Sequence, residues 1–269
     1  MKIDLVSDLH LEFFEGWNLI PNYDKLFKDQ GSETLIIAGD TMTCLASDCN
    51  DMAEELFFDV TTRYRNVLCV LGNHDYWNRS PWANRKVDNF DTMQKMCELR
   101  YPDVTFLSPS TPFTLKDTDG SNVRFIGDTL WTNPRPENRF LVASCMNDYR
   151  EIYGMNGELI TLDDTVNAHI ATLVSFKQTL MNYPNDRFVV VTHHLPIHLG
   201  KYKADRLNDA YATDLSNFIL DNPNVRLWCA GHSHESVDGE VGNCRIVSNP
   251  HGYVMVEHTE DYKVRTFEV

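Results

Sequence analysis

The feature that most limits what this chain can fold into is a series of short apolar runs, each closed by a polar cluster. Ile3-Asp4-Leu5-Val6 leads into Ser7-Asp8-Leu9-His10. The run from Thr34 to Ala38 leads into Gly39-Asp40, and that from Val67 to Leu71 into Gly72-Asn73-His74-Asp75. Farther on, Phe188 to Val191 precedes Thr192-His193-His194, and Val225 to Ala230 precedes Gly231-His232-Ser233-His234. Short β-branched runs bounded by turn formers predict buried strands. The segments Asp51 to Tyr64, Arg85 to Arg100 and Asp163 to Met181 are predicted helices. Strand, helix and strand at ~30-residue spacing predict parallel βαβ units.

The end of the chain has another rhythm. Arg245 to Val247, Tyr253 to Val256 and Val264 to Phe267 leave no room for helices, and predict antiparallel strands at a sheet edge or in a second layer. Segment 104–127 is similar, with Asp117-Thr118-Asp119-Gly120 as a hairpin turn. Two packed sheets with helices on their outer faces follow from this pattern. Segment 128–162 is rich in Asn, Pro, Arg and aromatics and too long for an ordinary connection, which predicts a lid or substrate loop. No linker interrupts residues 1–269, so a single domain is expected.

The polar clusters fall at the C-terminal ends of the predicted strands, where open α/β sheets bind ligands. Asp8 and His10, read as residues i and i+2 of an extended segment, project to one side, and His232 and His234 repeat the pattern. Asp40 follows a glycine that permits a sharp turn, and Asn73 and His74 do the same. His193 closes another strand. These oxygen and imidazole donors suit Mn, Fe, Zn, Co or Ni better than a thiolate-seeking metal. Two divalent ions ~3.5–4 Å apart need a bridging carboxylate, and Asp40 is the natural one. Such a pair clamps phosphoryl oxygens and generates hydroxide from a bridging water, while His74, beside Asn73, can donate a proton to the leaving oxygen.

Asp8-x-His10, Gly39-Asp40, Gly72-Asn73-His74-Asp75, His193 and Gly231-His232-x-His234 together resemble the calcineurin-like metallophosphoesterase superfamily, over residues 8–234. The resemblance implies an α/β fold: a four-layer α/β/β/α sandwich, two mixed sheets flanked by helices, with the metal site at strand C-terminal ends. It implies a first metal set of Asp8, His10, Asp40 and His234. The second is Asp40, Asn73, His193 and His232, with Asp40 shared. His74 resembles the family's acid or transition-state stabiliser, and Asp75 a residue that orients it. The cofactors implied are two divalent ions, Mn2+ foremost.

Departures narrow the branch. Gly39-Asp40-Thr41-Met42-Thr43-Cys44 lacks the arginine of the protein Ser/Thr phosphatases, and Thr43 stands where purple acid phosphatases carry tyrosine. His74 stands where a lipid-hydrolase branch carries arginine, and the chain is too short for the capping domains of double-strand-break nucleases. What remains resembles small bacterial and phage phosphohydrolases and class III-type cyclic nucleotide phosphodiesterases. The expected activity is hydrolysis of a small phosphodiester, such as a cyclic nucleotide. The alternatives are a phosphomonoesterase acting on a nucleotide, sugar phosphate or phosphoprotein, and a metal-binding scaffold.

Composition bears on partners. A net charge of −15, from 39 acidic against 24 basic residues, argues against sequence-independent binding to a long nucleic acid. The cysteines lack CxxC spacing, Cys69 and Cys229 read as buried hydrophobes, and no run approaches the ~18 apolar residues of a membrane span. With no apolar stretch at the N-terminus, the expected location is cytoplasmic. The remaining candidates keep two readings. Tyr76 and Trp77 are either an aromatic wall or core anchors. Arg135 or Arg150 either grips phosphate or is a surface charge, with Trp131, Asn147, Asp148 and Tyr149 beside them. His193 rather than His194 is the expected ligand. His198 is read as a surface turn, His169 as structural, and His251 and His258 as weak pocket candidates.

Overall fold

The computed structural model describes residues 1–45, 51–78, 90–154, 157–198, 205–257 and 259–269. In chain order the strands are β1 (Lys2–Val6), β2 (Thr34–Ala38), β3 (Asn66–Val70), β4 (Thr105–Phe106), β5 (Phe113–Lys116), β6 (Asn122–Asp128), β7 (Arg187–Thr192), β8 (Val225–Ala230), β9 (Asp238–Val241), β10 (Cys244–Ser248) and β11 (Arg265–Glu268). They form a five-stranded sheet, β11-β1-β2-β3-β4, and a six-stranded sheet, β5-β6-β7-β8-β10-β9. Within the first, β1 to β4 run parallel and β11 pairs antiparallel with β1. Within the second, β6, β7, β8 and β10 run parallel, with antiparallel edges at β5 and β9.

The two sheets stack face to face. Ile3 and Leu5, Ile36 and Ala38, and Leu68 and Val70 meet Val189, Val191, Leu227, Cys229 and Val247 in one buried cluster. Because side chains alternate along a strand, the intervening residues point outward, where helices cover them. Helix Asp51–Arg63 buries Ala53, Leu56, Phe57 and Val60, one helical stripe, on the face holding Leu35, Ile37, Val67 and Cys69. Helix Leu162–Asn182 opens with a capping box between Thr161 and Asp164. It lays Phe176 and Leu180 on Phe188, Val190, Trp228 and Ile246. Burial on both faces is why the central strands read as continuous apolar runs. The result is the expected α/β/β/α sandwich. No helix among the described residues is long and apolar enough to cross a membrane.

Helix Phe90–Arg100 fits the expected segment from Arg85, whose first residues, 85–89, lie outside the described residues. The β5–β6 hairpin turns where expected, with Gly120 N–H donating to the Asp117 carbonyl and Asp117 N–H to Ser121. The C-terminal expectation holds for β11, which pairs antiparallel at the edge of the first sheet, and needs correction for the other two segments. β10 lies inside the second sheet, parallel to β8, while β11 edges the first. Tyr253 to Val256 is a turn: Val256 and Glu257 N–H both donate to the Tyr253 carbonyl, and Met255 has φ 64. Segment 128–162 is partly regular, with helices Arg139–Cys145 and Asp148–Glu151.

Candidate metal centre

Parallel strands deliver their C-terminal ends to one edge of each sheet, and the stacking of the sheets brings the two edges together. The chain after β10 completes the junction: Ser7 N–H donates to Asn249 O, and His251 and Gly252 N–H donate to Ser7 and Asp8 O. Asp8, His10, Asp40, His232 and His234 all have positive φ, between 47 and 66. Non-glycine residues rarely adopt this conformation, and clusters of it mark functional sites. The sequence reading placed Asp8 and His10 on an extended segment. Instead, successive left-handed turns aim both inward, because His10 N–H must reach Asp40 O and Asp8 N–H must reach Gly39 O. Gly39 has φ 85, and a Cβ there would lie 2.4 Å from His193 Nδ1. A Cβ at Gly231 would lie 2.6 Å from Asp8 Oδ2.

Two groups of donor atoms result. Asp8, His10 and His234 offer ligand atoms within 4.8 Å of one another, and so do Asp40, His193 and His232. The Asp40 carboxylate lies between them, with Oδ2 3.2 Å from His193 Nε2 and 3.5 Å from His10 Nε2. Asn73 Oδ1 is 3.0 Å from His193 Nε2. His193, not His194, therefore faces the centre. His194 Nδ1 turns to the Thr129 carbonyl at 3.1 Å.

Three of the imidazoles are held by their other nitrogen. His193 Nδ1 lies 2.9 Å from Ala38 O, His10 Nδ1 3.0 Å from Glu12 Oε1, and His234 Nδ1 3.0 Å from Glu257 Oε1. In the neutral rings those contacts leave Nε2 of both His10 and His234 as acceptors, and the two stand 3.1 Å apart. Two lone pairs facing each other repel unless a cation lies between them. His232 Nε2 is buried with no hydrogen-bond partner. Burial first, then the charges of His194 and His193, hold the His232 imidazole well below its usual pKa, in the neutral form a metal needs. The donor set thus fits hard or borderline divalent ions.

His74 lies beside this group. Its Nδ1 is 3.1 Å from Glu12 Oε1, its ring stacks on Trp77 at 3.7 Å, and its Nε2 is 3.5 Å from the Tyr253 hydroxyl. Burial alone would lower its pKa, but the Asp40 charge and the Glu12 hydrogen bond raise it above the usual value. Glu12 shows the converse. Burial raises its carboxyl, but the hydrogen bonds from His10 and His74 outweigh this and hold it at about 2.

Asp75 does not orient His74. Its carboxylate accepts the N–H groups of Asp40, Thr41, Met42 and Gly72, which makes it an anchor for the two loops that carry Asp40 and Asn73. Glu12 occupies the place expected of Asp75. Its closeness in sequence to Asp8 and His10 was the available signal.

The centre opens into a cleft of about 1050 Å³. Trp77 belongs to its wall, with Nε1–H donating to Asp148 Oδ1, whereas Tyr76 is a core residue bonded to Thr129. Asp148 Oδ1 also accepts from Asn73 Nδ2, so segment 128–162 reaches the centre through this carboxylate. Arg135 is bound to Asp209, and Arg150 donates to the Ser144 carbonyl, so neither grips the site. Trp131 is buried against Tyr76 and Phe90, and Tyr149 pairs with Thr165. His169 is structural, with Nδ1 on the Leu130 carbonyl. His198 pairs with Asp209 at 3.9 Å, and His251 lines the cleft. His258 lies outside the described residues. Tyr253 belongs to a segment read as a strand and Glu257 follows it directly, so neither stood out as a site residue.

A family model described as calcineurin-like phosphoesterase matches residues 1–236. An uncharacterised protein of Acanthamoeba polyphaga mimivirus is 28% identical over 267 residues, covering 92% of this chain and 90% of that one. Among solved structures, a phosphopantetheinyl hydrolase of Mycobacterium tuberculosis has a TM-score of 0.69 at 17% identity, covering 99% of this chain and 95% of that chain. That likeness is one of fold.

Proposed function

Because this chain belongs to the calcineurin-like phosphoesterase family of metal-dependent phosphoric ester hydrolases, we propose that it cleaves a small phosphodiester, a cyclic nucleotide being one candidate. Asp8, His10, Asp40 and His234 would hold one divalent ion, and Asp40, Asn73, His193 and His232 a second. Mn2+ is our first choice, and Fe, Zn, Co and Ni suit the same donors. The facing Nε2 atoms of His10 and His234 carry the metal reading. When bound, the ions supply charge neutralisation at the phosphoryl oxygens and an acidified water as nucleophile.

The charge of the cleft supports a diester. Asp148, Asp205, Glu235 and Glu257 line it, and among the described residues no Lys or Arg does. A phosphomonoester carries nearly two negative charges at neutral pH, a diester one. A cleft without its own cations disfavours the dianion more, and a long polyanion most. The water, having released one proton to solvent, joins phosphorus through its oxygen as the bond to the leaving oxygen breaks. His74 gives that oxygen its Nε2 proton and regains one from solvent. The reacting end lies beside Asn73 and His74, and Trp77 and Tyr253 offer aromatic faces to the remainder. The same reading places the enzyme in the cytoplasm, where its thiols stay reduced.

The test is a substrate panel with Mn2+: bis-p-nitrophenyl phosphate, p-nitrophenyl phosphate, and 2′,3′- and 3′,5′-cyclic nucleotides. A higher kcat/KM on diesters is expected. Preference for the monoester would replace this reading with a phosphomonoesterase for a nucleotide, sugar phosphate or phosphoprotein. No turnover with any of the metals would overturn the enzyme reading in favour of a metal-binding scaffold.

A further inference from the structure

We propose that Glu12 is the positioning residue of this centre: one carboxylate oxygen fixes both His10 and His74 with the proton on Nδ1. The assignment of His74 as proton donor rests on the function proposed above. The fixing of the two rings rests on geometry alone.

Glu12 enters the site from the first turn of the short helix Leu11–Gly16 that follows the β1 loop. Its Oε1 is 3.0 Å from His10 Nδ1 and 3.1 Å from His74 Nδ1. Its Oε2 accepts the backbone N–H of Thr43 at 3.2 Å. One carboxylate therefore ties together the loops that follow β1, β2 and β3. With both oxygens engaged by N–H donors, Glu12 is a brace for the centre and not a ligand in it. The side chain is only 10% exposed, so the attraction to the two imidazoles is little screened by water.

The consequence concerns the far side of each ring. With Nδ1–H donated to Glu12, a neutral His10 presents an Nε2 lone pair, which points at Asp40 Oδ2 and His234 Nε2. His74, held edge-on to His10 with ring centroids 4.5 Å apart, must present Nε2 to the cleft. In the reaction His74 acts as an imidazolium, with Nδ1–H kept on Glu12: its Nε2 proton moves to the leaving oxygen as the P–O bond breaks, and Glu12 neither gains nor loses a proton. An ester whose leaving oxygen needs that proton depends on the alignment, and one with a stable leaving anion depends on it less. Partners of this kind are typically worth ~10–100-fold in activity or metal affinity.

The experiment uses the full chain and the variant Glu12→Gln, each loaded with Zn2+. Gln cannot accept from all three N–H groups, because one of its two terminal atoms is itself a donor. The variant should lose about 10–100-fold in kcat on diphenyl phosphate. It should lose much less on bis-p-nitrophenyl phosphate, with KM little changed on either. Long-range 15N–1H NMR of the imidazoles should show His74 protonated on Nδ1 in the wild type and altered in the variant. A loss equal for both leaving groups, or a His74 signature unmoved by the substitution, would overturn the assignment. Should the variant fail to fold, a wild-type spectrum with His74 protonated on Nε2 alone would overturn it as well. A wild type inert towards every diester would defeat the proposed function, while the NMR readout would still decide the role of Glu12.

Discussion

The two halves of the centre are braced differently. In the inner half, His193 is fully buried and its Nδ1 is held by a backbone carbonyl, that of Ala38. Asp40 accepts the His74 N–H, and Asp8 accepts the His232 N–H. In the outer half, His10 and His234 are held by the side chains of Glu12 and Glu257. The Glu257 side chain is 36% exposed, so the outer brace is wetter and more easily displaced than the inner one. The inner half is built into the sheet ends, and the outer half is assembled from neighbouring side chains. Removing one side chain should therefore uncouple the outer half and leave the inner one in place.

The largest effect should come from Asp40, which the two halves share. Asp40→Asn keeps the shape and removes the charge. Bound metal, read by elemental analysis, should fall at both positions and turnover should drop to background. Unaltered metal content would break the bridging assignment. Next is His74→Ala, which should retain metal while losing ~10²–10⁴-fold in kcat; loss of an ion would make His74 a ligand, for its nitrogen also lies within 4.8 Å of a His10 nitrogen and an Asp40 oxygen. Smaller again, Glu257→Gln should weaken metal affinity at one position by ~10–100-fold. Isothermal titration would then resolve one weakened and one unchanged site. Equal weakening of both would erase the distinction between the halves.

The smallest expected effect probes the scaffold behind the inner half. Burial lowers the pKa of His169, against the pull of its contact with the Leu130 carbonyl. A histidine held below its unfolded value of ~6.5 contributes stability above that pH and loses it as pH falls towards the folded value. His169→Gln lacks the titration. The urea midpoint advantage of the wild type, worth ~1 kcal/mol for one hydrogen bond, should narrow between pH 7 and pH 5. Constant separation would show that His169 titrates alike in both states.

The inner half was legible because strand-end geometry is written locally. Gly39-Asp40, Gly72-Asn73 and Gly231-His232 each pair a residue without a Cβ, needed for close approach, with a ligand that follows it. The outer brace was not legible, since Glu257 directly follows Tyr253 to Val256, a segment whose composition suggested a strand. There the turn closed by the Tyr253 carbonyl overrides local propensity, because Tyr253 packs on His10 and His234 with ring centroids 4.6 and 4.5 Å away. Asp75 misled for a related reason. Its neighbour in sequence is His74, but backbone N–H groups from the Asp40 loop hold its carboxylate. Burial and the Asp40 charge push that carboxyl up to about 7, and four amide donors oppose the shift.

The sequence by itself determined the layered α/β architecture and the identity of the donors. Short apolar runs and the turn chemistry that closes them act over a few residues, and a ligand's chemistry belongs to its side chain. Only the tertiary structure decided which carboxylate holds which imidazole. Glu12 is 62 residues from His74, and Glu257 is 23 from His234. Such partners meet only when sheet stacking brings the ends of β1 and β8 and the chain after β10 to one edge.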